Sequence, residues 1–99
     1  MQLVAKTLQK FPDDDRWYEF DFSTQPEFDA GQTILSAVVT SAPPGPTIGI
    51  PVPAAGTMVQ VEIKAGNPGR YLMECLATTD AGAKIAGYGW LQIVDPTTL

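Results

Sequence analysis

Apolar and polar residues alternate at a period of two along much of the chain, and nowhere do apolar positions recur at helical spacing for three turns. The pattern predicts strands. Over residues 17–22, Tyr18, Phe20 and Phe22 alternate with Trp17, Glu19 and Asp21, so the first three are expected in the core and the second three outside it. Residues 57–64 repeat the pattern, with Val59, Val61 and Ile63 set against Met58, Gln60, Glu62 and Lys64. Residues 33–40 (TILSAVVT) are β-branched and apolar on both faces, as expected of a strand in the middle of a sheet. Residues 70–79 and 84–94 read as a hairpin around Asp80-Ala81-Gly82, whose Asp and Gly are expected to supply the positive-φ positions of a tight turn. Within it Tyr71, Met73, Cys75 and Ala77 share one face, and Ile85, Leu91 and Ile93 suit the core.

Nine prolines and nine glycines punctuate these runs. In residues 42–56 (APPGPTIGIPVPAAG) the prolines remove backbone donors, leaving a loop with at most a short edge strand near residues 47–50. A weak strand near residues 3–8 brings the total to about seven, with turn signals every 8–14 residues. The expected fold is all-β: an immunoglobulin-like antiparallel β-sandwich with an extended N-terminal arm (residues 1–15) ahead of the sandwich domain (residues 16–99). An up-and-down or jelly-roll barrel is the alternative, because alternation does not reveal strand order. An arm of about 16 residues can extend to about 50 Å, far enough to touch a neighbouring subunit.

Composition narrows the chemistry. At 99 residues there is room for one domain. The absence of histidine removes the usual general base, the Ser/His/Asp and Cys/His nucleophile systems and imidazole metal sites. A lone cysteine, Cys75, excludes an internal disulfide and reads as a small buried hydrophobe. The net charge of −5 has the wrong sign for nucleic acid, and it is concentrated in residues 1–30, which carry seven carboxylates against three bases. No apolar run approaches the roughly 18 residues of a membrane span, and the N-terminus lacks the basic start of a signal peptide. A soluble, unprocessed protein without a cofactor is the expectation.

Asp13-Asp14-Asp15 is the first candidate for a hard cation, but the aspartates are consecutive, lack a bend glycine and precede Arg16. An acidic turn after Pro12 is the better reading, with a charge that can complement a basic partner. Glu19 and Asp21 share a strand face, as alternate exposed residues routinely do, and give little support for a hydrolase. The outward aromatics Trp17, Tyr88 and Trp90 are more informative, since each ring left in water forgoes the burial of about 150–250 Å². Three readings compete: the arm or the proline-rich loop folds over them, they anchor a protein interface, or they form a sugar-stacking platform. Gly87 and Gly89, between the outward rings, are expected to let another backbone approach, which favours a protein partner. The candidate partner-binding residues are therefore Trp17, Tyr88, Trp90, Asp13, Asp14 and Asp15, with no catalytic or metal site.

The strings KFPDDDRWYEFDFS (residues 10–23), GQTILSA (31–37), Gly69-Arg70-Tyr71 with Cys75, Thr78-Thr79-Asp80-Ala81-Gly82 and LQIVD (91–95) resemble small proteins of tailed bacteriophages and prophages. Those proteins pair an acidic-aromatic opening strand with a Gly-Asp-Thr-Ile-like second strand and a Thr-Thr-Ser/Asp-x-Gly hairpin; here Gln32 replaces the acidic residue and the central loop is richer in proline. The resemblance implies a non-enzymatic virion structural protein of immunoglobulin-like type, found with capsid and head-to-tail connector components. A capsid decoration or cement protein, bound in many copies to the major capsid lattice, is the first expectation. A neck or tail component is the alternative, and a carbohydrate-binding module is the alternative of another class. The expected partners are capsid or neck proteins, with a homo-oligomer on the particle as a further option, and neither nucleic acid nor membrane.

Overall fold

A computed structural model of the chain describes residues 3–23, 25 and 32–98. Gly31, which opens the second motif above, lies outside them. The described strands are β1 (Leu8–Lys10), β2 (Arg16–Asp21), β3 (Ile34–Ala42), β4 (Thr47–Ile48), β5 (Val52–Ala54), β6 (Met58–Lys64), β7 (Gly69–Thr79) and β8 (Lys84–Ile93), followed by a 3₁₀ turn at Pro96–Thr98. They form two sheets: sheet 1 in the order β1-β8-β7-β3, and sheet 2 in the order β2-β6-β4, with β5 also on β6.

The period-two pattern decides which side chains meet between the sheets. Tyr18, Phe20 and Phe22 interleave with Val59, Val61 and Ile63 from sheet 2 and with Met73, Cys75, Leu91 and Ile93 from sheet 1, all of them at most 2% exposed. Burying side chains of this size contributes about 1.5–3 kcal/mol each, which makes this cluster the main source of stability. Tyr71 caps one end of it, its hydroxyl donating to the Asn67 carbonyl at 2.7 Å.

Several expectations change. β3 is an edge strand, not a central one, and Leu35 and Val38 are more than 60% exposed. Its two-sided apolar character is therefore real exposed apolar surface. The proline-rich stretch carries two short strands, end to end on the same edge of β6. Between the pairs Ile48·Ile63 and Val52·Gln60 it has three residues where β6 has two, and this bulge holds Ile50 out at 85% exposure. Pro53 is tolerated because β5 is an edge. In the β7–β8 turn only Gly82 has positive φ (82°); Asp80 instead donates its N–H to the Thr33 carbonyl and accepts from the Thr33 N–H and hydroxyl.

Pairing is not wholly antiparallel, because β1 runs parallel to β8. Further upstream Leu3 bridges Tyr88, and the Val4 N–H donates to the Tyr88 carbonyl while the Val4 carbonyl accepts from the Asp21 N–H, both at 2.9 Å. Val4 thus joins the two sheets at their open flank. From Leu3·Tyr88 to Leu8·Leu91 the N-terminal segment takes five residues where β8 takes three, so it bows away from β8 in between.

Gly87 and Gly89 serve the protein's own core and not a partner's backbone. They share the inward parity of Leu91, and a Cβ on Gly87 would lie 2.8 Å from the Phe22 ring, one on Gly89 2.8 Å from the Ala5 methyl. The missing side chains are the space that Val4, Ala5, Tyr18 and Phe22 occupy.

Candidate interaction surfaces

Because inward positions are filled by apolar residues, chemistry is left to the two outer sheet faces, the turn at residues 11–15 and the open flank. On the outer face of sheet 2, Trp17 is 61% exposed and stands opposite Glu62 in the ladder. The neighbouring Glu19 carboxylate accepts from the Gln60 amide at 3.1 Å, and Lys64 lies 3.6 Å from Glu62. Val52, across Gln60, and the bulged Ile50 add exposed apolar surface on the far edge.

The outer face of sheet 1 carries the other two predicted rings. Tyr88 stands opposite Glu74 and Trp90 opposite Leu72, and both rings are half-buried. The Tyr88 hydroxyl donates to Glu74 Oε2 at 2.8 Å, which holds its pKa above the ordinary tyrosine value. The Arg70 guanidinium sits 4.2 Å from the Trp90 ring centre. Neither the N-terminal segment nor the proline-rich loop supplies these contacts; β7 does. The hairpin register around Asp80–Gly82 already implied the pairs Arg70·Gln92, Leu72·Trp90 and Glu74·Tyr88. Beyond them, Leu76 pairs with Val38, and both expose apolar surface.

The structure therefore separates the rings. Trp17 faces away on one sheet, Tyr88 and Trp90 on the other, so the three do not form one stacking platform.

The acidic tract is a turn. The Asp14 N–H donates to the Phe11 carbonyl, the Phe11 N–H donates to Asp14 Oδ2 (both 3.1 Å), and Arg16 lies 3.7 Å from the same carboxylate. Asp13 and Asp15 point to solvent. Beneath them Lys10 is 3% exposed, its ammonium donating to the Phe11 carbonyl at 2.8 Å. Burial lowers its pKa, against the opposing pull of Asp14, Asp15 and Asp13. Among the described residues, no group of three acidic or cysteine side chains is arranged to hold a metal ion.

Glu19 and Asp21 do not converge as an acid–base pair: Glu19 is engaged by Gln60, and Asp21 accepts from the Ser23 N–H at 2.9 Å. Cys75 is fully buried, and burial pushes its thiol pKa up to about 12, the opposite of an activated nucleophile. No helix among the described residues is long and apolar enough to cross a membrane.

Both outer faces of this small β-framework expose apolar side chains, and comparison with known families gives its class: the chain is a structural component of a phage virion. Its residues 10–87 match the family described as podophage GP4 fiber-tail adaptor protein gp77, and the chain belongs to that family. No curated protein shows significant similarity to it. The family description names an adaptor of the tail, which fits the tail-component alternative and gives no support to capsid decoration. Trp17 and the acidic turn lie within the matched span, whereas Tyr88 and Trp90 fall just beyond it.

Proposed function

We propose that this protein is a non-enzymatic tail component that holds a fibre to the body of a podophage tail, gripping one partner with each outer sheet face. The observation that carries the proposal is the opposition of two exposed apolar surfaces. Trp17, Ile50 and Val52 face out from sheet 2, and Val38 and Leu76, alongside Tyr88 and Trp90, face out from sheet 1. Exposed apolar area concentrated in this way marks contact sites, and Trp and Tyr are the residue types that most often anchor them. Asp13, Asp14 and Asp15 add negative charge at the tip between the faces, suited to a basic partner surface.

We read the framework as immunoglobulin-like. In support, the orders β2-β6-β4 and β3-β7-β8 correspond to the BED and CFG strands of that fold, and the Tyr71–Asn67 bond has the form of its tyrosine corner.

The experiment is reconstitution of fibre attachment on tails assembled without this protein. Trp17→Ala and Val38→Asp, both at exposed sites, are expected to fold normally and to lose different halves of the bridge, one failing to bind the tail and the other the fibre. Fibre-bearing particles formed equally well by both variants would overturn the proposal.

A further inference from the structure

The flank between the N-terminal segment and β2 is an open groove of about 680 Å³, lined by residues 3–8 and by Trp17, Tyr18, Glu19 and Asp21. Among the described residues, nothing pairs the backbone along its floor. In an antiparallel ladder, successive residues point their N–H and C=O groups alternately toward and away from the partner strand. The Phe22 N–H donates to the Thr57 carbonyl on the β6 side, whereas the Asp21 N–H donates the other way, to Val4. Counting back in twos, Phe20 and Tyr18 bond to β6, and Trp17 and Glu19 direct their backbone groups into the groove. The Asp21–Val4 bond closes one end, beyond which the N-terminal segment, bowed away from β8, forms the wall facing β2. An exposed edge of this kind is a template for another strand.

Building on the adaptor reading, we infer that this flank takes an extended basic strand of a partner protein, added to β2 through the backbone of Trp17 and Glu19. The side-chain chemistry follows from the parity of β2. Outward residues of the added strand lie beside the Trp17 ring and the Glu19 and Asp21 carboxylates, with Glu62 next to Trp17; among the described residues, Lys6 on the opposite wall is the single cation lining the groove. Lysine or arginine there pairs with carboxylate and stacks on indole. Inward residues meet Tyr18 and Ala5 and must be small and apolar. A second copy of this chain fits poorly, because β2 against β2 gathers Glu19 and Asp21 of both copies on one face.

The test is amide hydrogen exchange on the ¹⁵N-labelled full chain with two synthetic nonapeptides, alternating Lys-Val and alternating Glu-Val. In the free chain the Trp17 and Glu19 amides are expected to exchange fast, and those of Tyr18 and Phe20 to be protected. The lysine peptide is expected to slow Trp17 and Glu19 at least tenfold, and the glutamate peptide to leave them unchanged. Glu19→Pro, which removes a donor facing the groove and none facing β6, is expected to weaken lysine-peptide binding at least tenfold. A lysine peptide with every backbone amide N-methylated must show the same loss, whether or not Glu19→Pro folds. Binding without slowing of those two amides, protection of them by self-association of the chain alone, or no binding would overturn the inference. Reconstitution keeps the two proposals apart: if the face variants still lose fibre attachment while the peptide result is negative, only the strand addition fails.

Discussion

The Tyr18 hydroxyl, rising from sheet 2, donates to the Trp90 carbonyl of sheet 1 at 3.1 Å, and the absence of a side chain at Gly89 gives it room. A Cβ on Gly89 would collide with that hydroxyl. Gly89→Ala is therefore expected to cost about 2–3 kcal/mol through overpacking, and Tyr18→Phe about 1 kcal/mol through the lost hydrogen bond. Since Phe lacks the clashing oxygen, the double variant should be less destabilised than the sum of the two. Urea denaturation of the four chains checks this; strict additivity would mean that Gly89 and Tyr18 do not meet.

Alkaline pH should attack the same core. Burial raises the Cys75 thiol from 9.0 to about 12 and raises the Tyr18 hydroxyl above its ordinary 10.0, so the folded protein keeps both protons after the unfolded chain has lost them. Stability from this source is complete below pH 9 and lost as pH rises toward the folded values. The expected decline is about 1.4 kcal/mol per pH unit from Cys75 above pH 9, steepening above pH 10 as Tyr18 joins. Cys75→Ala should move the onset to near pH 10, and a thiol reagent at pH 8 should modify wild-type Cys75 only as fast as the protein opens. Rapid modification under native conditions would contradict the burial.

The turn between β5 and β6 contains an avoidable strain. Ala55 has φ 52° and precedes Gly56 at φ 76°, and a left-handed backbone disfavours alanine. Asparagine tolerates that region far better. Ala55→Asn is expected to raise stability by about 0.5–1 kcal/mol with no change in fold, measured as an upward shift of the thermal midpoint.

How much of this was legible in advance follows from what alternation encodes. A period of two tells which side of a strand faces the core, and it placed Tyr18, Phe20, Val61, Met73 and Leu91 inward and Trp17 outward. It does not tell which strands are neighbours. Leu35 and Val38 therefore suggested a central strand when they lie exposed on an edge, and the parallel docking of β1 on β8 left no local trace. Gly87 and Gly89 suggest room for a partner's backbone because they neighbour Tyr88 and Trp90, although their own parity points inward. The candidate surfaces were legible as individual outward rings. Their division between opposite faces depends on sheet order, which arises from long-range packing.

Val4 makes the last prediction, because the segment around it belongs to the core and not only to the surface. Its side chain is 9% exposed, fills the space above Gly87, and its backbone ties Tyr88 in one sheet to Asp21 in the other. Val4→Ala should cost about 1–2 kcal/mol by removing buried methyl groups. Deleting residues 1–7 removes the tie as well and should cost about 2–4 kcal/mol, with the added loss read as a lower urea midpoint. The deletion should also free the Asp21 amide, so that it exchanges with solvent as fast as those of Trp17 and Glu19. If the shortened chain unfolds at the wild-type midpoint with Asp21 still protected, the N-terminal segment does not brace the two sheets.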